Sequence, residues 1–329
     1  MRRLRCSRMD FFRRAGTLIG CALVSTAPAA ADYPSKAVRM IVPYPPGGPA
    51  DIMARAITSQ LPKQVGQPFV VENRAGASGM IGSELVARAA PDGYTLLVNT
   101  SIHVITPSLF VKMPFDALQD FTHVTLLSRV PLFLVVHPAL PVRSVKQLIA
   151  LAKANPGKLN FASSSIGAGT HLAGELFKAA AGIDIRHVPY KGSAPALTDL
   201  MGGHVEMMFD TTLTTLPHIK SGKMRALAVS TARRSQAAPD IPTVGESGVP
   251  GYDAANWYAL WGPARMPRDI TLRIQQETHR ALNEPGVKGR LIDLGAEPVG
   301  NAPEEFEAFA RSEFAKWARV VKEAGIKPE

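Results

Sequence analysis

The chain has 329 residues, 46% of them apolar and 19% charged, enough for about two ordinary domains and too apolar for a disordered chain. Gly and Pro number 27 each without a fixed period, which excludes a collagen-like chain. The formal charge of +10 suggests a nucleic-acid partner only until the charge is located.

Six arginines (Arg2, Arg3, Arg5, Arg8, Arg13 and Arg14) lie in the first 14 positions, opposed only by Asp10. An apolar run over 15–26 follows, then Ala27-Pro28-Ala29-Ala30-Ala31. A basic start, a short apolar stretch and an A-x-A site read as a secretory signal peptide over 1–31. The apolar run is too short for a bilayer span, which takes roughly 20 residues. Cleavage after Ala31 starts the mature chain at Asp32. Arg13-Arg14 is a twin-arginine pair, although the residues after it match a Tat signal poorly. Leu18-Ile19-Gly20-Cys21 resembles a lipobox with an unusually short apolar lead. Cleavage removes six basic residues and one acid, leaving a charge of about +5 on a chain without cysteine. That chain has no disulfide, thiol nucleophile or Cys-bound metal. Its basic residues are dispersed and not interleaved with aromatics, so no nucleic-acid partner is expected.

From there the pattern is strand, loop, helix. Residues 37–44 read as a β-branched strand and 50–65 as a helix with Ile52, Ala56, Ile57 and Leu61 on one face. A strand at 69–71, a helix at 79–89 and a strand at 94–99 continue the rhythm, which predicts α/β layers on a mostly parallel sheet. Two consecutive strands, 122–127 and 132–136, flank Arg129-Val130-Pro131. Ser144 and Gln147 read as a capping box for a helix to about 154. Strands at 159–162, 185–188, 205–209 and 225–229 then alternate with helices at 169–181, 194–201 and up to about 219. A Pro/Gly-rich passage at 239–251 precedes an aromatic strand at 256–261. Core packing is the default reading of its Trp257, Tyr258 and Trp261, and cleft lining the alternative. Helices at 267–282, 285–294 and 303–324 end the chain.

Two α/β halves imply a cleft, and in open α/β sheets ligands sit beyond the carboxyl ends of strands. Four loops lie there. Pro45-Pro46-Gly47-Gly48-Pro49-Ala50-Asp51 offers close backbone approach and a helix start, hence a carboxylate or phosphate cradle; a tight turn with Asp51 serving its own helix is the equal alternative. Asn99-Thr100-Ser101 is the second. The third, 163–170, combines hydroxyls and glycines as an uncharged anion nest, or as an ordinary N-cap cluster. Asp210-Thr211-Thr212 is the fourth, with a helix cap as its alternative. No G-x-G-x-x-G, P-loop lysine or G-x-S-x-G occurs. His171 and Glu175 share a helix face at i,i+4, but no H-E-x-x-H accompanies them, so a structural histidine is favoured over a metal ligand. Ser164, His171 and Asp210 form a triad only on paper, since nothing in the sequence fixes their geometry.

VPYPPGGPAD (42–51), VVENRAGASGMIGSELVARAAPDGYTLL (70–97), HLAGELFKAAAG (171–182), HVPYKGSAPALTDLMGGHVEMMFD (187–210), LPHIKSGKMRALAVS (216–230) and IPTVGESGVPGY (241–252) resemble the Bug, or TctC-like, extracytoplasmic receptors of tripartite tricarboxylate transporters. The resemblance covers essentially all of 33–329. It implies a type II, Venus-flytrap periplasmic-binding-protein fold: an α/β domain from 33–129 plus 231–329, a second from 130–230, and a ligand cleft between them. The hinge crossings are expected near 128–131 and 229–232. It also implies a periplasmic receptor, not an enzyme, that takes a small di- or tricarboxylate, acidic amino acid or aromatic acid. Membrane transporter subunits are the implied partners; no cofactor or metal is expected, and the chain is expected to be monomeric. Carried over by position, the first-domain ligand residues are Tyr44, Pro46, Gly47, Gly48, Asp51, Thr100 and Ser101. The second domain supplies Ser163, Ser164, Gly167, Thr170, His171, Asp210 and Thr211. Pro49 stands where the family often has Ser or Thr, and Thr211 where Asn is frequent, which points to a different solute. A sensor docking on a signalling protein is the alternative reading, and an exported hydrolase a more distant one.

Overall fold

The computed structural model describes residues 33–190 and 193–326. The leader expected over 1–31 lies outside the described residues.

The first half opens with β1 (Val38–Val42), whose Val38, Met40, Ile41 and Val42 are fully buried. Apart from Arg39, this is an apolar run that suits a parallel strand covered on both faces. β2 (Phe69–Asn73) and β3 (Thr95–Thr100) pair with it in parallel. The helix expected over 50–65 is two helices, α1 (Pro49–Thr58) and α2 (Leu61–Val65). Pro62 explains the break: it has no N–H for the carbonyl of Thr58, and its ring would strike that carbonyl in a continuous helix. A 3-10 turn (Ala77–Gly79) leads into α3 (Met80–Ala87). A one-turn helix, α4 (Ile102–Ile105), follows β3.

β4 (Phe121–Val136) is a single strand of 16 residues where two were expected. Its part up to Pro131 pairs with β9 (Ala255–Pro263), and Leu132 to Val136 pair with β7 (Met207–Thr211) and β8 (Arg225–Val229). Pro131 stands where the strand changes neighbours, and proline is tolerated where a ladder is interrupted. The second half continues with α5 (Val145–Ala154), β5 (Asn160–Ser163), α6 (Gly169–Ala181), β6 (Arg186–Pro189), α7 (Ser193–Met201) and, after β7, α8 (Thr212–Lys220). Ser144 caps α5 by accepting from the Gln147 N–H at 3.3 Å. The Gln147 side chain returns to the N–H of Arg143, one residue before a standard capping box. α9 (Arg268–Asn283), α10 (Pro285–Asp293), the short β10 (Glu297–Pro298) and α11 (Pro303–Glu323) return to the first half.

The sheet path is β2-β1-β3-β9-β4-β7-β5-β6, with β8 and β10 also on β4. Among the described residues five pairings are antiparallel and four parallel, so the sheet is mixed rather than mostly parallel. The two parallel wings are β1-β2-β3 and β5-β6-β7; the long β4 and the returning β9 join them antiparallel. One core cluster, including Leu126, Leu134, Phe161, Phe209, Trp257 and Trp317, spans both wings. A second fills the first wing around Met40, Ile57 and Leu260, and a third fills the second wing around Phe133, Leu200 and Met208. The parallel wings end their strands toward each other's loops, which places the cleft.

Candidate functional site

The cleft holds about 600 Å³ and is walled by both halves. From the first half come Tyr44, Pro46, Gly47 and Gly48 ahead of α1, Thr100 and Ser101 between β3 and α4, and Asn256 and Tyr258 of β9. From the second come Ser164, Gly169 and Thr170 at the start of α6, Ser193 at the start of α7, and Asp210, Thr211 and Thr214 at the β7–α8 junction.

Helix starts therefore converge on one space. In α1 the first intrahelical bond is from Ile52 N–H to Gly48 O (2.9 Å), so the N–H groups of Ala50 and Asp51 lie outside the helical ladder. Pro49 is the first residue of α1 and lines the cleft without an N–H. In α6 the first such bond is from Leu172 to Ala168 O (3.0 Å), leaving Gly169, Thr170 and His171 outside it. α8 begins directly after β7, with Thr211 at its N-cap. Each start carries partial positive charge, which favours an anion. Among the described lining residues there is no Lys, Arg or His. Asp210 is the one acid: burial raises its carboxyl, against the lowering by the Thr211 N–H and by the hydroxyls of Thr214 and Ser193. The two hydroxyls donate to its oxygens at 3.0 Å each.

Of the fourteen positions singled out in the sequence, ten line this space; Asp51, Ser163, Gly167 and His171 do not. Asp51, Ser163 and His171 brace the loops from behind, and Gly167 is the loop backbone that His171 holds. The Asp51 carboxylate, 2% exposed, accepts from Gly47 N–H (2.9 Å), Arg55 Nε (2.9 Å) and Asn73 Nδ2 (3.0 Å). Burial by itself would raise Asp51, but these donors outweigh it and hold the carboxyl below its ordinary value. Ser163 Oγ donates to Ser165 O (3.0 Å) and meets His187 Nε2 (2.6 Å). Gly167 N–H donates to His171 Nδ1 (3.0 Å), and Gly167 opens on a neighbouring hollow. The paper triad is not assembled: Ser164 Oγ is bonded to Thr170 Oγ1 (2.9 Å), while His171 is committed to Gly167. Nor do the described residues contain a cluster of three or more His, Cys, Asp or Glu able to hold a metal.

A second support lies under the first-half loops. Tyr44 Oη donates to Asn99 Oδ1 (2.8 Å) and meets Thr100 Oγ1 (3.1 Å). Asn99 Nδ2 donates to Ser83 Oγ (3.0 Å) and to His103 Nδ1 (3.1 Å), and His103 Nε2 donates to Ala117 O (2.9 Å). Burial holds His103 down to about 3, so a neutral ring with one donor and one acceptor serves this chain of bonds.

Sequence reasoning missed Ser193, Thr214 and Asn256 as lining residues. Asn256 and Tyr258 are two apart on one strand and so share a face. The opposite face carries Trp257 and Trp261, both fully buried, as the core reading expected. The fourth loop is also revised: β7 runs two residues further than expected, placing Asp210 and Thr211 in the strand. The exit of α7 consumes the chain through Glu206, as His204 N–H returns to Asp199 O and Glu206 Oε2 takes the N–H of Asn160.

Two α/β halves around a shared polar cleft of loops and helix starts define a solute-binding protein of the two-domain periplasmic type. The model of the tripartite tricarboxylate transporter family receptor, TctC, matches residues 53–326, and the chain belongs to that family. It is 40% identical over 304 residues to Protein BugT of Bordetella pertussis, covering 92% of this chain and 93% of that one. An R. palustris protein solved with adipate superposes with a TM-score of 0.79 at 38% identity, covering 91% of this chain and all of its own. MatC from Rhodopseudomonas palustris with bound malate gives 0.74 at 33% identity, covering 88% and 100%. The family's members are periplasmic solute receptors, not enzymes. Among the described residues no helix is long and apolar enough to cross a membrane.

Proposed function

We propose that the chain is exported by its N-terminal leader, captures a small carboxylate in the cleft and presents it to the membrane subunits of a tripartite tricarboxylate-type transporter. The carrying observation is the convergence of the α1, α6 and α8 starts on a hydroxyl-rich space with no cation among its described lining residues. Such a site binds an anion through backbone N–H groups and hydroxyls. The adipate and malate of the two structural relatives favour a dicarboxylate. In this reading Tyr44, Gly47, Gly48, Thr100 and Ser101 hold one side of the solute, and Ser164, Thr170 and Thr211 the other. Asn256 and Tyr258 form the floor. Residues 33–129 with 231–329 move against 130–230 about the crossings near Pro131 and Ser230.

Thermal unfolding with a panel of dicarboxylates, adipate and malate included, tests this. A true ligand at about 100 times its Kd adds about 2.7 kcal/mol to the folded state and raises Tm accordingly. No shift across the panel, and no carboxylate released on unfolding protein made in its native periplasm, overturns it.

A further inference from the structure

Beneath the 163–170 loop lies a stacked pair of histidines, His171 buried and His187 half-buried, that the binding reading does not use. His171 of α6 and His187 of β6 stack with ring centroids 3.7 Å apart and planes 14° from parallel. His171 is 3% exposed. Its Nδ1 accepts the Gly167 N–H at 3.0 Å, which requires an unprotonated nitrogen there. Its Nε2 faces Glu175 Oε1 at 3.7 Å. Ser163 Oγ lies 3.0 Å from Ser165 O and meets His187 Nε2 at 2.6 Å. Both imidazoles thus hold the loop whose Ser164, Gly169 and Thr170 line the cleft.

We propose that His171 is the positioning residue of this loop and that it does so only as a neutral imidazole. A proton on Nδ1 would set a donor against the Gly167 donor, and stacking disfavours charge on both rings at once. The surrounding groups agree with that constraint. From α6 come Glu175 and Lys178, and α11 brings Glu323 to the hollow those two line. β5 presents the Phe161 ring and the Ser163 hydroxyl, without charge. Asp210 of β7 is occupied by Ser193 and Thr214. Burial first, then the neighbouring His171, hold His187 down to about 4. A proton on His171 Nδ1 would therefore cost the loop its Gly167 bond. Glu175 stands ready to take the resulting charge as the loop lets go. Ligand affinity should fall as the medium becomes acidic.

The effect on affinity rests on the carboxylate-receptor reading; the effect on the loop does not. The test compares the full chain with His171→Asn, whose amide oxygen accepts at the same place and does not titrate, and His171→Ala, which removes the acceptor. NMR reads the Gly167 amide in the unliganded protein, and calorimetry reads adipate binding, at about pH 7.5 and about pH 5.5. Expected in the wild type are loss of Gly167 protection and an adipate Kd about tenfold weaker at the lower pH. His171→Asn should hold both to within about twofold, which also subtracts the protonation of adipate itself. His171→Ala should be weak at both values. Gly167 protection that is independent of pH, or His171→Asn behaving as His171→Ala, overturns the proposal. Absence of adipate binding at any pH counts against the receptor reading for that ligand, and the Gly167 signal still decides the role of His171.

Discussion

At the residue scale, some of the side chains that shape this cleft stand one step behind it. Asp51 shows why: its carboxylate has three donors at hydrogen-bond distance and almost no contact with water. Asp51→Asn would turn one oxygen into a donor facing donors, at a cost of about 1–3 kcal/mol. Urea unfolding should register that loss, and carboxylate affinity should fall with it because the Gly47 turn loosens. The sign of the pH dependence follows from the same bonds. The folded Asp51 carboxyl lies below its unfolded value. Its stabilisation is therefore present above an unfolded pKa of about 3.9 and is lost as pH falls through the lower folded value. Acid unfolding of wild type and Asp51→Asn should converge at the low end of that window. The sequence showed an acid at a helix start but left its role open between ligand contact and helix support. Only the meeting with Asn73, 22 positions away, decides for support of the loop.

At the element scale, the halves share a core cluster and the long β4, and a glycine and a serine set two of the close approaches between them. A Cβ on Gly169 would come within 2.1 Å of Asn256 Oδ1, so the start of α6 approaches β9 only because the side chain is missing. Gly169 has an ordinary helical backbone, and alanine is the better helix former by about 1 kcal/mol. Gly169→Ala should hold or raise the unfolding free energy while weakening carboxylate binding about tenfold, since it wedges the halves apart. Lower stability with unchanged affinity would contradict this. Ser230 ties the crossing: its Oγ accepts Leu132 N–H at 2.9 Å and donates to Ala254 O, and its own N–H bonds Leu132 O at 2.8 Å. Ser230→Ala leaves a buried N–H unpaired and should cost about 1–3 kcal/mol in denaturant titration. Helix α6 was legible to the residue because its apolar spacing and the Gly182 stop are local. The split of 50–65 was also written locally, in Pro62; the fusion of β4 and the extension of β7 were less legible, because each depends on what the neighbouring strand offers.

At the scale of the whole molecule, the family reading predicts a change of shape. Two wings joined by β4 and by the Ser230 crossing should close on a ligand, so small-angle scattering should give a smaller radius of gyration with saturating carboxylate than without it. An unchanged radius, with binding established, would mean a cleft that is already closed. The +10 charge carries little of this function, since six of the arginines lie in the first 14 residues and the described cleft wall has no cation. By itself the sequence determined the α/β class, most element positions, the family and the loops that matter, because turn chemistry and periodicity are written locally. The tertiary structure decided which loop residues face the cleft and which brace it from behind. It also decided that Asn256 joins the wall and that the two histidines stack. Those outcomes depend on side chains brought together from distant strands, a geometry that local spacing does not encode.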